Sequence, residues 1–105
     1  MLIVLLSDFG VSDSYVGVMK GVMSGLAPNI HQVDLTHDVP AFDVLAGSYL
    51  LYSAWNYFPK GSVFLAVVDP GVGTARRELV ASSGGKVLIA PDNGIVSLLK
   101  RMNPD

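Results

Sequence analysis

Three aspartates stand at or just after the ends of predicted strands, and their carboxylates are the first candidates for chemistry. Asp8 follows the apolar run 2–6, Asp38 follows the run 30–35, and Asp69 follows the run 62–68. In a mainly parallel sheet, ligands bind outside the carboxyl ends of the strands. The spacing therefore predicts that three acids from three separate segments converge on one rim of the sheet.

The tetrapeptide Ser-Asp-Phe-Gly at 7–10 suits the binding of a sugar diol. A carboxylate accepts two hydrogen bonds at once, so Asp8 could hold the ribose of a nucleoside, and it would also attract a cation. Gly10 allows the backbone to turn beside a ligand. A purely turn-forming aspartate is the alternative interpretation of Asp8.

Most of the other polar and aromatic residues allow more than one interpretation. Asp13 could cap the following helix or contact a ligand. His37 and Asp38 could form an acid–base pair or a set of metal ligands, or a polar cluster that stabilises the loop. Phe42 could stack on a base or simply pack. His31 is expected to be a strand residue without a catalytic part.

The loop after the third apolar run contains two glycines around a small apolar residue, at 71–73. This spacing fits neither a dinucleotide fingerprint nor a phosphate loop of the Gly-Lys-Ser/Thr kind. Arg76 comes seven residues after Asp69, close enough for the loop to fold back and pair them. Such a pair could hold and polarise a water, or it could be an ordinary ion pair that closes the loop.

Apolar runs and helical periodicity alternate along the chain and predict the elements that position these residues. Strands are predicted over 2–6, 30–35, 62–68, 78–82 and 86–90, and helices over 14–26, 43–57 and 95–101. The order β-α-β-α-β-β-β-α predicts an α/β fold with three layers, in which helices flank a mainly parallel sheet. In the first helix Gly17, Gly21 and Gly25 leave one side as bare backbone, which predicts close approach of a strand, a helix or a ligand.

Composition sets outer limits on the function. The 105 residues suffice for one domain, and 7 basic against 9 acidic residues argue against a nucleic-acid partner. Without cysteine, the sequence excludes disulfides, Cys-ligated zinc and a thiol nucleophile. No apolar run approaches a membrane span, so a cytoplasmic protein without a membrane partner is expected. Half of the residues are hydrophobic, which indicates a tightly packed core or a surface meant for something outside this chain.

Seven segments in this order resemble the S-adenosylmethionine (SAM) hydroxide adenosyltransferase family, which is related to the fluorinase and chlorinase SAM halogenases. They are 7–10, 13–21, 33–40, 58–63, 67–74, 76–77 and 90–94. The resemblance implies a displacement at C5′ of the ribose, in which water or hydroxide attacks, methionine leaves and adenosine forms. SAM is then the substrate, and no cofactor is implied.

The same resemblance assigns roles to individual residues. Substrate binding falls to Asp8, Phe9, Asp13, Phe42 and Asn93, with Asp8 on the ribose diol. Asp69 and Arg76 match two members of a water-handling Asp–Arg–His set. Because the related halogenases lack this Asp–Arg pair, it favours hydrolysis over halide transfer.

The resemblance also implies parts that these residues do not supply. The histidine of the family's set lies downstream, and neither His31 nor His37 matches it. Relatives carry a C-terminal β-barrel domain and form trimers with the site between subunits. Residues 1–105 are therefore expected to be a truncated N-terminal domain that is inactive alone. The alternatives are a nucleoside-binding module without catalysis, a halogenase-like enzyme, and an assembly domain that uses the glycine side of the first helix.

Overall fold

The structure is a computed structural model that describes residues 1–68 and 77–98. Its elements are β1 (Leu2–Ser7), α1 (Tyr15–Leu26), β2 (His31–Thr36), α2 (Val44–Ala54) continued by one 3-10 turn (Trp55–Tyr57), β3 (Val63–Val67), β4 (Glu78–Ser83) and β5 (Lys86–Pro91). The predicted order is confirmed from β1 to β5. The predicted last helix, 95–101, extends past the described residues. Within those residues, no helix has the length and apolar character needed to cross a membrane.

The five strands form one sheet in the order β2-β1-β3-β5-β4. β1 is an interior strand that pairs in parallel with β2 and β3, and β5 joins the far side of β3 in parallel. Only β4 is antiparallel, as the partner of β5 in the predicted hairpin. Gly84 and Gly85 make that turn with φ of 61° and 81°, the positive values that a two-residue type I′ turn requires.

The core lies between the sheet and α2. The crossover from β1 through α1 to β2 runs in one direction along the sheet, and the crossover from β2 through α2 to β3 runs in the other. Because both are right-handed, α1 and α2 lie on opposite faces of the sheet. Leu51 and Trp55 pack on the α2 face against buried strand residues, namely Val4, Leu6, Phe64, Ala66, Val68, Leu88 and Ala90. Gly47 allows close contact here, since a Cβ at this position would lie 3.2 Å from side-chain carbons of Ile95 and Val68.

The α1 face of the sheet is covered incompletely. The predicted apolar stripe of α1 is present, but only Val16 of this helix is buried, and Leu26 is 83% exposed. An open apolar groove of about 360 Å³ runs between α1 and β3, lined by Tyr15, Val18, Met19, Val22, Met23 and Leu65. Nothing in the described part of the chain lies within 4 Å of a Cβ built on Gly17, Gly21 or Gly25. The close approach predicted from these glycines therefore has no partner there.

Candidate active site

The carboxyl ends of β1 and β2 lie side by side, and each continues into a loop that carries predicted site residues. Leu6 pairs with Thr36 at this end, after a shift in register at the step from Leu5. The loop after β1 carries Asp8, and the loop after β2 carries Phe42. Two of the predicted site residues therefore meet at one rim because their strands are parallel neighbours.

Backbone hydrogen bonds join these two loops. The Gly10 amide donates to the His37 carbonyl over 2.7 Å, and the Val39 amide donates to the Ser7 carbonyl over 3.3 Å. Gly10 has a φ of 74°, a left-handed conformation that suits glycine. Residues 7–10 and 37–42 consequently form one connected surface.

Asp8 adds a bond from its side chain. Its Oδ2 accepts a hydrogen bond of 2.7 Å from the backbone amide of Phe42. Among the described residues this is the only hydrogen bond of the Asp8 carboxylate, and Oδ1 has no partner there. The bond fixes the direction of the carboxylate relative to Phe42.

Phe42 lies in a tight turn with its ring turned away from the core. The Asp43 amide donates to the Pro40 carbonyl over 2.9 Å, which makes Phe42 the third residue of the turn. Its φ of 61° is uncommon for a residue with a side chain. Phe42 is 64% exposed, so its side chain packs little against the described chain. Its stacking on a base stays a prediction.

Two further predicted residues follow β1 along the rim. The ring of Phe9 meets the ring of Tyr15 edge-on, with 4.7 Å between centroids. Asp13 accepts a hydrogen bond of 3.0 Å from the Tyr15 amide, the first residue of α1. The prediction that Asp13 caps this helix is nevertheless wrong, because Ser14 occupies the N-cap position and makes no side-chain cap hydrogen bond. Its contact with a ligand stays a prediction.

His37 belongs to a chain of hydrogen bonds that sequence reasoning did not identify. Its Nδ1 lies 2.6 Å from Ser7 Oγ, and its Nε2 lies 2.8 Å from Asp34 Oδ1. Lys20 donates to the other oxygen of Asp34 over 2.8 Å. The bond from Lys20 lowers the pKa of Asp34 below its ordinary value, against the opposing effect of partial burial, and the bond with His37 lowers it further.

This arrangement supports the polar-cluster interpretation of His37. Asp38, its expected partner, is exposed, and its own amide bonds to Thr36 Oγ1 over 3.0 Å. Across the described ranges, no group of three His, Cys, Asp or Glu side chains is placed to hold a metal ion. His31 is exposed at the opposite end of β2, beside Leu2, as a strand residue should be.

Asn93 lies at the same rim, next to the end of β3. Its Nδ2 donates to the Val68 carbonyl over 2.8 Å, and its Oδ1 accepts from the Ile95 amide over 3.2 Å. The side chain thus holds the loop after β5 against the chain just beyond β3. Contact of Asn93 with substrate stays a prediction. Asp69 and Arg76 lie outside the described residues.

Residues 3–105 match the family model of the SAM hydroxide adenosyltransferase N-terminal domain. The chain is 48% identical over 99 residues to a protein of Thermus thermophilus named (R)-S-adenosyl-L-methionine hydrolase, covering 94% of this chain and 38% of that one. A fluorinase of an Actinoplanes species is 29% identical over 119 residues, covering 91% and 40%.

The same fold occurs in an uncharacterized conserved protein from Thermotoga maritima. Its crystal structure superposes with a TM-score of 0.91 at 38% identity, over 98% of this chain and 40% of that one. The chain therefore spans about 40% of the length of the relatives and structures it matches.

Proposed function

The chain belongs to the SAM hydroxide adenosyltransferase family, and on that premise we propose that the protein hydrolyses SAM to adenosine and L-methionine. Water attacks C5′ of the ribose, the bond from C5′ to the sulfonium sulfur breaks, and one proton is released. The electron pair of the broken bond stays on sulfur as the neutral thioether of methionine. The 48% identity to a SAM hydrolase supports this reaction over others.

The geometry of Asp8 is the observation that carries the proposal furthest. Its carboxylate stands just after the end of β1 with Oδ2 held by the Phe42 amide, which leaves Oδ1 as the oxygen proposed to meet a ligand. An oriented carboxylate of this kind can accept a hydrogen bond from a ribose hydroxyl. The exposed ring of Phe42 stands next to it and offers an aromatic surface to the rest of a nucleoside.

The nucleophile is assigned to the loop that carries Asp69 and Arg76. We propose that Arg76, which is cationic at any working pH, pairs with Asp69 and favours its ionised form. An anionic Asp69 accepts a hydrogen bond from water and repels chloride or fluoride. Because the sulfonium is already a good leaving group, the main task of these two residues is to position the water.

The substrate is proposed to be SAM with the R configuration at sulfur. The sulfonium carries three different carbon groups and is therefore stereogenic, and the curated hydrolases name the R form. A rim that fixes the ribose also fixes where the other two groups on sulfur point. The proposed assembly is a homotrimer in the cytoplasm, to be checked by light scattering and cell fractionation.

The test uses the natural gene product that contains residues 1–105. It is incubated with each resolved SAM epimer in ¹⁸O-labelled water, with and without chloride, and products are separated by chromatography. We expect adenosine from the R epimer with the label in its 5′ hydroxyl. A 5′-chloro nucleoside would overturn the hydrolase assignment in favour of a halogenase. Adenosine binding without turnover would instead favour a nucleoside-binding module.

Variants connect the activity to the site. Asp8→Ala removes a charge-assisted acceptor, a contact worth roughly 1.5–3 kcal/mol, so adenosine should bind at least about tenfold more weakly by calorimetry. Asp38→Ala is the matched control, since it removes an exposed carboxylate from the neighbouring strand end. Equal affinities of these two variants for adenosine would remove Asp8 from the site.

A further inference from the structure

We propose that His37 is a positioning residue that fixes the Asp8 segment through Ser7. The two residues that flank this segment, Ser7 and Gly10, both bond to His37. Ser7 Oγ lies 2.6 Å from its ring, and the Gly10 amide donates to its carbonyl over 2.7 Å. One residue of the second loop thus holds both ends of the short segment that carries the Asp8 carboxylate.

Because Ser7 and His37 are both buried, the hydrogen bond between them is costly to break. Ser7 is 1% exposed and His37 is 4% exposed, so neither can exchange its partner for water without a cost. With the ring proton on Nε2, His37 donates to Asp34, and its Nδ1 accepts from the Ser7 hydroxyl. Ser7 Oγ in turn lies 3.3 Å from the Phe9 amide, which donates to it. The bonds therefore continue from the imidazole into the backbone that follows Asp8.

The far side of the imidazole is anchored as well. Asp34 holds Nε2, and Lys20 from α1 holds Asp34. The ring orientation therefore depends on β2 and α1 together. We infer that the network transmits the packing of both elements to the Asp8 segment.

The order Ser7–His37–Asp34 is that of a nucleophilic triad, but two features argue against that chemistry. In such triads Nε2 faces the serine and Nδ1 faces the carboxylate, whereas here the two nitrogens are exchanged. The Ser7 hydroxyl is also fully buried, so a substrate has no access to it. Ser7 acts through its neighbour Asp8 and not on a substrate.

Two substitutions of the same residue separate the halves of the network. His37→Asn keeps an amide oxygen near the position of Nδ1, where it can accept from Ser7. His37→Gln reaches instead towards the position of Nε2 and keeps the bond to Asp34. The matched control is His31→Gln, an exposed histidine at the other end of the same strand. Ser7→Ala removes the hydroxyl itself.

Three measurements are made on the natural gene product that contains residues 1–105. They are adenosine affinity by calorimetry, the melting temperature, and amide chemical shifts after ¹⁵N-phenylalanine labelling. The label reports directly on the rim, because the Phe9 amide bonds to Ser7 and the Phe42 amide bonds to Asp8. Phe58 and Phe64 lie outside the rim loops and serve as internal references.

The expected result distinguishes positioning from general stabilisation. His37→Gln and Ser7→Ala shift the Phe9 and Phe42 amides and weaken adenosine binding roughly tenfold to a hundredfold, the size expected when the Asp8 carboxylate loses one charge-assisted hydrogen bond to the ligand. His37→Asn restores most of the affinity even where its melting temperature is as low as that of His37→Gln. Equal affinity losses in Asn and Gln, or unmoved rim amides, would overturn the inference.

The inference rests on the proposed function for its affinity readout only. If the unmodified protein neither binds adenosine nor releases it from SAM, the proposed function fails, and the rim amides alone decide the role of His37. Labelling of Ser7 by a fluorophosphonate would overturn the inference in another way, because it would show an accessible nucleophile.

Discussion

The turn at Phe42 allows stability and ligand binding to be separated in one experiment. The φ of 61° places Phe42 in the left-handed region, which costs a residue with a side chain about 1–2 kcal/mol. Phe42 is 64% exposed, so burial of its side chain offsets little of this cost. Stability alone would favour glycine at this position, so we expect that the ring of Phe42 serves ligand binding.

The size of the effect follows from two opposing terms. Phe42→Gly relieves the strain of about 1–2 kcal/mol but gives the unfolded chain more freedom, which costs about 0.4–1 kcal/mol. Phe42→Ala keeps the strain. The glycine variant should therefore be more stable than the alanine variant by about 1 kcal/mol. Both variants lack the ring, so both should bind adenosine more weakly and to a similar extent.

Urea unfolding and calorimetry test these expectations, with Leu45 as the control. Leu45 is 72% exposed, like Phe42, but it lies in the ordinary helical backbone of α2. There the order reverses, because glycine is about 1 kcal/mol worse than alanine in a helix. Neither change at Leu45 should alter adenosine affinity. If Phe42→Ala were as stable as Phe42→Gly, the strain argument would be refuted.

Three other predictions concern charge, packing and the far end of the sheet. Lys20→Met should raise the pKa of Asp34 towards its ordinary 3.8, measured by carboxyl ¹³C NMR. The pKa of Asp34 is lower in the folded state than in the unfolded chain, so its contribution to stability is present above the unfolded pKa and is lost as the pH falls through the folded pKa. In Lys20→Met the two pKa values are closer together. The free energy of unfolding, measured in urea, should therefore fall less on acidification in the variant than in the parent. Gly21→Ala should raise the free energy of unfolding by about 0.5–1 kcal/mol, since open space surrounds its added methyl. A lower free energy of unfolding in urea would instead reveal a neighbour packed against this glycine. Lys86→Met removes a bond of 2.7 Å to the Trp55 carbonyl and a contact 5.7 Å from its ring, so stability in urea should fall by about 1–3 kcal/mol with adenosine affinity unchanged. An affinity loss in this variant would mean that the two ends of the sheet are coupled.

The elements were predictable because their signals are local. Continuous apolar runs mark β1 and β3, and Gly84-Gly85 marks the hairpin through the φ values that its turn needs. The burial of α1 was not predictable in this way. Its stripe has the correct period, yet Val22 is 58% exposed, because the period shows which residues share a side and not what covers that side.

The site was predictable at the ends of strands and not beyond them. Asp8 was predicted from its place after a strand end and Phe42 from the resemblance, and the structure brings the two together because the carboxyl ends of β1 and β2 share a rim. The partners of His37 were missed because adjacency in sequence suggested Asp38, whereas the register of β1 on β2 brings Ser7 to its ring. The usable signal was Asp34, three residues earlier and just before the strand ends. Asp69 and Arg76 still rest on the resemblance.

The position of β1 between β2 and β3 has a consequence for how the chain folds during synthesis. β1 leaves the ribosome before its partner β3, which follows about 60 residues later, and at ordinary translation rates this means roughly 3–12 s. During that interval the apolar segment has only β2 to pair with. The hairpin of β4 and β5 closes locally and quickly by comparison. Nascent chains of which only residues 1–60 have left the exit tunnel should therefore bind hydrophobic-segment chaperones more strongly than chains of which residues 1–98 have left it.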